Sequence, residues 1–178
     1  LPVYYMISSF WEGQEGSFLL WIFWHVVLGL ILIGTQKKWE TSVMAVFAMV
    51  QAFLTSMILG VVIGDVKIGS SPFILLRDAM EAPVFAMNPD FVPEDGTGLN
   101  PLLQHPIMAI HPPMLYLGYV GFAVPFAFAM ASLITRQPGD RWIHTTRIWT
   151  MVTWLFQGCG ILLGARWSYD VLGWGGYW

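Results

Sequence analysis

Four stretches of this chain are long enough to cross a lipid bilayer and contain no Asp, Glu, Lys or Arg: Ser17–Gly34, Ser42–Gly64, Met114–Ile134 and Ile148–Ala165. A hydrocarbon core takes roughly 17–25 apolar residues as a helix. Every backbone polar group inside it has to be satisfied within the segment, which leaves helices as the solution for isolated runs of this length. Charged residues make up 11% of the 178, against about 25% in a soluble domain. The expected fold is therefore an all-α, polytopic integral membrane bundle. It has four transmembrane helices and forms a single membrane-embedded region over 1–178. A net charge of −3 and the lack of any Lys/Arg block argue against nucleic acid as a partner.

The basic residues give an orientation. Lys37 and Lys38 lie in the connection after the first span, and Arg136, Arg141 and Arg147 in the connection before the fourth. Positive-inside places these connections in the cytoplasm or its equivalent. The N-terminal stretch, the long segment 65–111 and the C-terminal stretch then lie outside. That long segment carries apolar patches such as Phe73–Leu76 and Val84–Met87. It is expected to form short helical pieces against the membrane rather than a disordered loop. Cys159 is the single cysteine, so a disulfide or cysteine metal site within the chain is not available. The first residue is Leu, without a signal pattern, and the chain reads as a piece of something larger.

His111-Pro112-Pro113 opens the third span. Pro112 biases His111 away from the α region, and Pro113 suits a first helical turn. These rules predict a helix starting after the prolines, with a rigidly aimed imidazole at its N-terminus. A neutral imidazole there is a good iron ligand; an interfacial histidine bonded to a headgroup or carbonyl is the plainer alternative. His105 reads as a loop histidine and His144 as part of a solvated basic patch. His25 lies inside the first span, where an ionisable group needs a partner; Gln51 or Gln157 can supply one.

Trp174-Gly175-Gly176-Tyr177-Trp178 sets two glycines among rings. That combination lets backbone approach a flat ligand that aromatic side chains stack on, although an interfacial turn has the same composition. Trp11, Trp39, Trp142 and Trp167 fit an aromatic belt. Gly60-x-x-x-Gly64, Gly160-x-x-x-Gly164 and the Ala123/Ala127/Ala131 stripe read as helix-packing features, and Pro125 as a kink. Arg166, and on weaker grounds Arg77, are candidates to hold an anionic side group such as a haem propionate.

With these residues in view, the chain resembles the CcmF/NrfE family, the large membrane subunits of cytochrome c haem-lyase systems. Trp11-Glu12-Gly13-Gln14-Glu15-Gly16-Ser17-Phe18-Leu19-Leu20-Trp21 is similar to that family's W-x-G-x-E-G-S-x-L-L-W signature. Leu99–Gln104 followed by His111-Pro112-Pro113 and Tyr116–Phe122 is similar to its long-loop signature. Trp174–Trp178 is similar to the start of its W-G-G-x-W-x-W-D motif. The resemblance implies haem handling and haem ligation to apocytochrome c, as a component of a haem lyase. Haem, b-type while in transit, would arrive from a CcmE-type chaperone at an extracytoplasmic site. There His111 would be an axial iron ligand, and Trp174, Gly175, Gly176, Tyr177 and Trp178 the shelf. A CcmH-type subunit would present the apocytochrome. The setting would be a bacterial inner membrane or a mitochondrial one. The second axial histidine and the buried-haem histidines of the family match no position here, Gln14 stands where a family variant has His, and the W-D half of the motif is not in the chain. On this reading the chain is inactive without the remaining part of its subunit. A non-catalytic transmembrane scaffold or transporter subunit and a b-haem quinol redox subunit using His25 are the alternatives.

Overall fold

In the computed structural model, residues 1–96, 98–137 and 139–174 are described. A short helix α1 (Val3–Ser8) and a 3₁₀ turn (Ser9–Trp11) lead into α2 (Gln14–Thr35), and α3 (Glu40–Ser56) runs back beside it. A hairpin of β1 (Val61–Ile63) and β2 (Val66–Ile68) follows, then the small helices α4 (Leu76–Ala79) and α5 (Pro83–Met87) and a 3₁₀ turn (Pro101–Leu103). Three helices complete the bundle: α6 (Pro106–Gly121), α7 (Ala123–Ile134) and α8 (Arg141–Leu172).

Among the described residues three stretches, not four, are helical, long and apolar enough to cross a membrane: Gln14–Thr35, Pro106–Ile134 and Arg141–Leu172. The chain is an integral membrane protein on that evidence. The second expected span fails because α3 stops at Ser56 after 17 residues that open with Glu40, so its apolar part is shorter than a span requires. Its last amides tighten onto carbonyls three residues back, Met57 onto Leu54 and Ile58 onto Thr55. Gly60 then turns the chain with φ of 64°. The apolar run Val61–Ile63 is β-branched, which suits a pleated strand better than a helix. It pairs antiparallel with β2, Val61 opposite Ile68 and Ile63 opposite Val66. Gly64-Asp65 closes the turn, with Gly64 at φ 61°, the conformation a two-residue hairpin requires of its first central residue. The fold is thus not purely α, and Gly60 and Gly64 are turn glycines rather than a helix-packing pair.

The third span also differs from expectation. Helix α6 begins at Pro106, eight residues before the predicted start, and carries His111, Pro112 and Pro113 within it. His105 is its N-cap, with Nδ1 accepting from the Ile107 amide at 3.3 Å. The prolines withhold the amides that would pair with the carbonyls of Met108 and Ala109. Close packing on α8 holds the helix despite that loss. A Cβ on Gly118 would fall 2.7 Å from Gln157 Cα, and one on Gly160 would fall 2.7 Å from Leu115 Cα. Only backbone against backbone fits there, so the small-residue reading of Gly160 and Gly164 is correct. One turn before Pro125, at Phe122, the helix breaks into α6 and α7, because proline denies Gly121 its amide partner.

The core lies where α2, α3 and α7 meet. Leu32, Val43, Phe47, Val124, Ala127, Phe128 and Ala131 are its best-buried members, and Trp39 packs on Phe128 with ring centroids 5.8 Å apart. The connections after α2 and after α7 therefore share one end of the bundle. At the other end, Ser70 Oγ donates to Glu15 Oε1 at 2.8 Å and Trp167 Nε1 to the Leu102 carbonyl at 3.2 Å.

Candidate haem-ligand site

His111 sits in the second turn of α6, facing α8. Its Nδ1 is 2.7 Å from the Gly160 carbonyl oxygen. A carbonyl only accepts, so Nδ1 carries the hydrogen and, in the neutral ring, Nε2 keeps the lone pair. The imidazole lies flat against Gly164, where a Cβ would fall 2.9 Å from Nδ1 and 3.0 Å from Nε2. The same two glycines that let the helices approach thus seat the ring and fix its tautomer. This is the outer-shell arrangement that orients a metal-ligating histidine.

The wall behind His111 is built from α2. Tyr116, five residues on, donates to Ser17 Oγ at 3.0 Å, and Ser17 donates to the Trp11 carbonyl at 2.8 Å. Trp21 meets the rings of Tyr116 and Tyr119 at 5.6 and 5.8 Å. Gly16 has the Phe10 carbonyl where a side chain would project. The Trp11–Trp21 signature therefore folds the chain's entry back onto α6. Beside it, burial pushes the Glu12 carboxyl up to about 7, and Oε1 has no hydrogen-bond partner among the described residues. Sequence reading missed Glu12, the Tyr116–Ser17 link and the glycine seat; only the glycine spacing was a readable signal.

The other candidates are dispersed. Arg166 pairs with Asp170 at 2.7 Å and lies over Tyr169 at 5.8 Å. Arg77 donates to the Pro89 carbonyl at 3.0 Å in the outer segment, with no contact to His111. His144 pairs with Asp140 at 3.3 Å. Trp174 is 67% exposed, just past Gly173, whose φ of 66° ends α8. Ten residues of mostly helical chain separate it from Gly164, roughly 15 Å along the axis, so Trp174 does not touch His111. Gly175, Gly176, Tyr177 and Trp178 lie outside the described residues. His25 is 3% exposed and stacks on Phe47 with centroids 4.0 Å apart. It lines a crevice with Gln51, and neither His25 Nε2 nor Gln51 Oε1 has a well-formed hydrogen bond among the described residues.

No three His, Cys, Asp or Glu side chains converge among the described residues. A group that brings its own equatorial nitrogens needs only one or two protein ligands. A single oriented imidazole with a free Nε2 fits that demand.

The sequence profile described as "Cytochrome C assembly protein" matches residues 11–178. The chain belongs to the cytochrome c assembly protein family. Within it, the chain is 40% identical to the cytochrome c-type biogenesis protein CcmF of Haemophilus influenzae over 178 residues, all of this chain and 25% of that protein. It is 42% identical to CcmF of Pseudomonas fluorescens over the same length, 24% of that protein. The NrfE protein of Haemophilus influenzae is 36% identical over 182 residues, again 25% of its length. The chain thus spans about a quarter of the curated relatives it matches. No solved structure matches it.

Proposed function

We propose that this chain supplies one axial haem ligand and its supporting wall in a CcmF-type subunit of cytochrome c maturation, in a bacterial inner membrane. The observation that carries the reading is the bond from His111 Nδ1 to the Gly160 carbonyl, 2.7 Å long, which leaves Nε2 as the ligating atom. The family, and its relatives' role in cytochrome c-type biogenesis, supply the cofactor class. Bound haem would supply the vinyl carbons that become thioethers with apocytochrome cysteines. The residues here do simpler work. Gly160 holds the proton on Nδ1, Gly164 gives the ring its plane, and Tyr116, Ser17 and Trp21 keep α6 from shifting. Trp174 would offer a stacking ring at the outer end of α8, and Gly175, Gly176, Tyr177, Trp178 and Arg166 are proposed as further haem contacts. A CcmE-type chaperone would deliver haem to this face and a CcmH-type subunit would present the apocytochrome.

The test is haem occupancy of the complete subunit, purified after co-expression with its haem chaperone. His111→Ala should remove the haem absorbance gained on co-expression with the chaperone, relative to a preparation made without it, while membrane insertion stays intact. His105→Asn, which keeps an N-cap acceptor, should leave occupancy as it was. Equal occupancy in wild type and His111→Ala would refute the ligand role.

A further inference from the structure

At the end of the bundle opposite His111, α7, α8 and the connection before α3 enclose a cavity of about 430 Å³, lined by Trp39, Ser132, Arg136, Gln137, Arg141 and Trp142 among others. We infer that it is a specific site for the phosphate headgroup of an anionic membrane phospholipid.

Charge is the first argument. Among the described residues neither arginine has a carboxylate within ion-pair distance. The nearest acid in sequence, Asp140, is 3.3 Å from His144 instead, and Glu40 is 3.3 Å from Lys37. Two guanidinium forks facing one cavity match the oxygens of a phosphodiester.

The backbone is the second argument. Helix α7 ends with the Arg136 amide on the Leu133 carbonyl at 3.1 Å and the Gln137 amide on the Ser132 carbonyl at 3.0 Å. This termination puts the residue at 136 in the left-handed region, where glycine is the cheapest choice. Arg136 occupies it with φ of 49°, the one non-glycine residue at positive φ among those described. A guanidinium thus stands where the fold would be more stable without any side chain.

Depth is the third argument. Trp39 and Trp142 flank the cavity where the apolar parts of α7 and α8 stop, the level at which indoles sit among headgroups. Neither indole N–H has a protein partner among the described residues, and neither is sealed off, so both remain available as donors. Basic pockets between helices at this level recognise anionic headgroups. A zwitterionic lipid would bring its ammonium group toward the same guanidinium groups.

The full polypeptide, delipidated in detergent and titrated by native mass spectrometry, decides the matter. Phosphatidylglycerol should be retained at least about tenfold more tightly than phosphatidylcholine. Arg136→Gly and Arg141→Gln should each abolish that preference. Arg147→Gln, with the same charge change on α8 outside the cavity, should preserve it. Arg136→Gly also relieves the backbone at 136, so it should unfold at a higher temperature than wild type, which separates lost binding from lost folding. Equal loss in Arg147→Gln would overturn the site in favour of diffuse surface charge. Equal retention of phosphatidylcholine would overturn the headgroup assignment. Displacement of phosphatidylglycerol by millimolar inorganic phosphate would overturn the lipid as occupant in favour of a free anion.

Discussion

Glu12 is held where a carboxylate is poorly hydrated. Its Oε1 has no partner among the described residues, and burial raises the carboxyl from 4.5 to about 7. The folded state therefore favours the protonated acid. Below pH 4.5 the group is neutral in both folded and unfolded chains and imposes no penalty. Between 4.5 and 7 the unfolded chain ionises more readily, so stability falls as pH rises; above 7 the penalty is complete. Glu12→Gln should leave the melting temperature unchanged at pH 4 and raise it at pH 8. A thermal-shift series in detergent checks this, and an increment of the same size at both values would contradict the assigned cause. That His111 is a candidate ligand was legible from the sequence. Its placement was not, because the proline rules describe local preference, and packing of α6 on α8 outweighs it. His105 proved to be the cap because Pro106, rather than Pro113, occupies the first helical position.

Between elements, the α6–α8 seam is the tightest feature of the fold, and glycine makes it possible. Adding a Cβ to Gly164 would bring it to 2.5 Å from His111 Cε1, whereas Gly158, also on α8, meets nothing within 4 Å among the described residues. Gly158→Ala should stabilise by about 0.5–1 kcal/mol through reduced backbone freedom. Gly164→Ala should destabilise instead, since overpacking costs about 1–3 kcal/mol, and should move the His111 ring off the Gly160 carbonyl. Melting temperatures of the two variants should bracket wild type. The seam was half legible: the spacing of Gly160 and Gly164 signalled a close approach, but not that an imidazole fills it. The hairpin was legible and was missed. Gly64-Asp65 between Val61–Ile63 and Val66–Ile68 is a two-residue turn signal, and an unbroken apolar run overrode it. Hydrophobicity alone does not separate a strand from the end of a helix.

Across the molecule, the bundle buries one side of its longest helix very little: only 11% of the apolar window of α8 is covered. Ile148, Met151, Leu155 and Leu162 are exposed at spacings of three, four and seven, one stripe facing outward. In a membrane that stripe meets lipid or further helices, and it tolerates neither charge nor wetting. Leu155→Arg, near the middle of α8, should hinder insertion by about 2.5–3.5 kcal/mol. Leu155→Ile should have no effect. The fraction resisting alkaline extraction reads this directly, and full retention of the arginine variant would mean that this face lines water. The gathering of Lys37, Lys38, Arg136, Arg141 and Arg147 at one end of the bundle was legible at this level. The count of spans was not, because it depended on where one helix stops.

The break at Phe122 divides labour along a single rod. Above it, α6 is zipped to α8 through glycines and carries the imidazole; below it, α7 is wedged into the core by Val124, Ala127 and Phe128. A tug on the outer half is thus shared with α8 while the inner half stays anchored, so a load at one face need not loosen the foundation at the other.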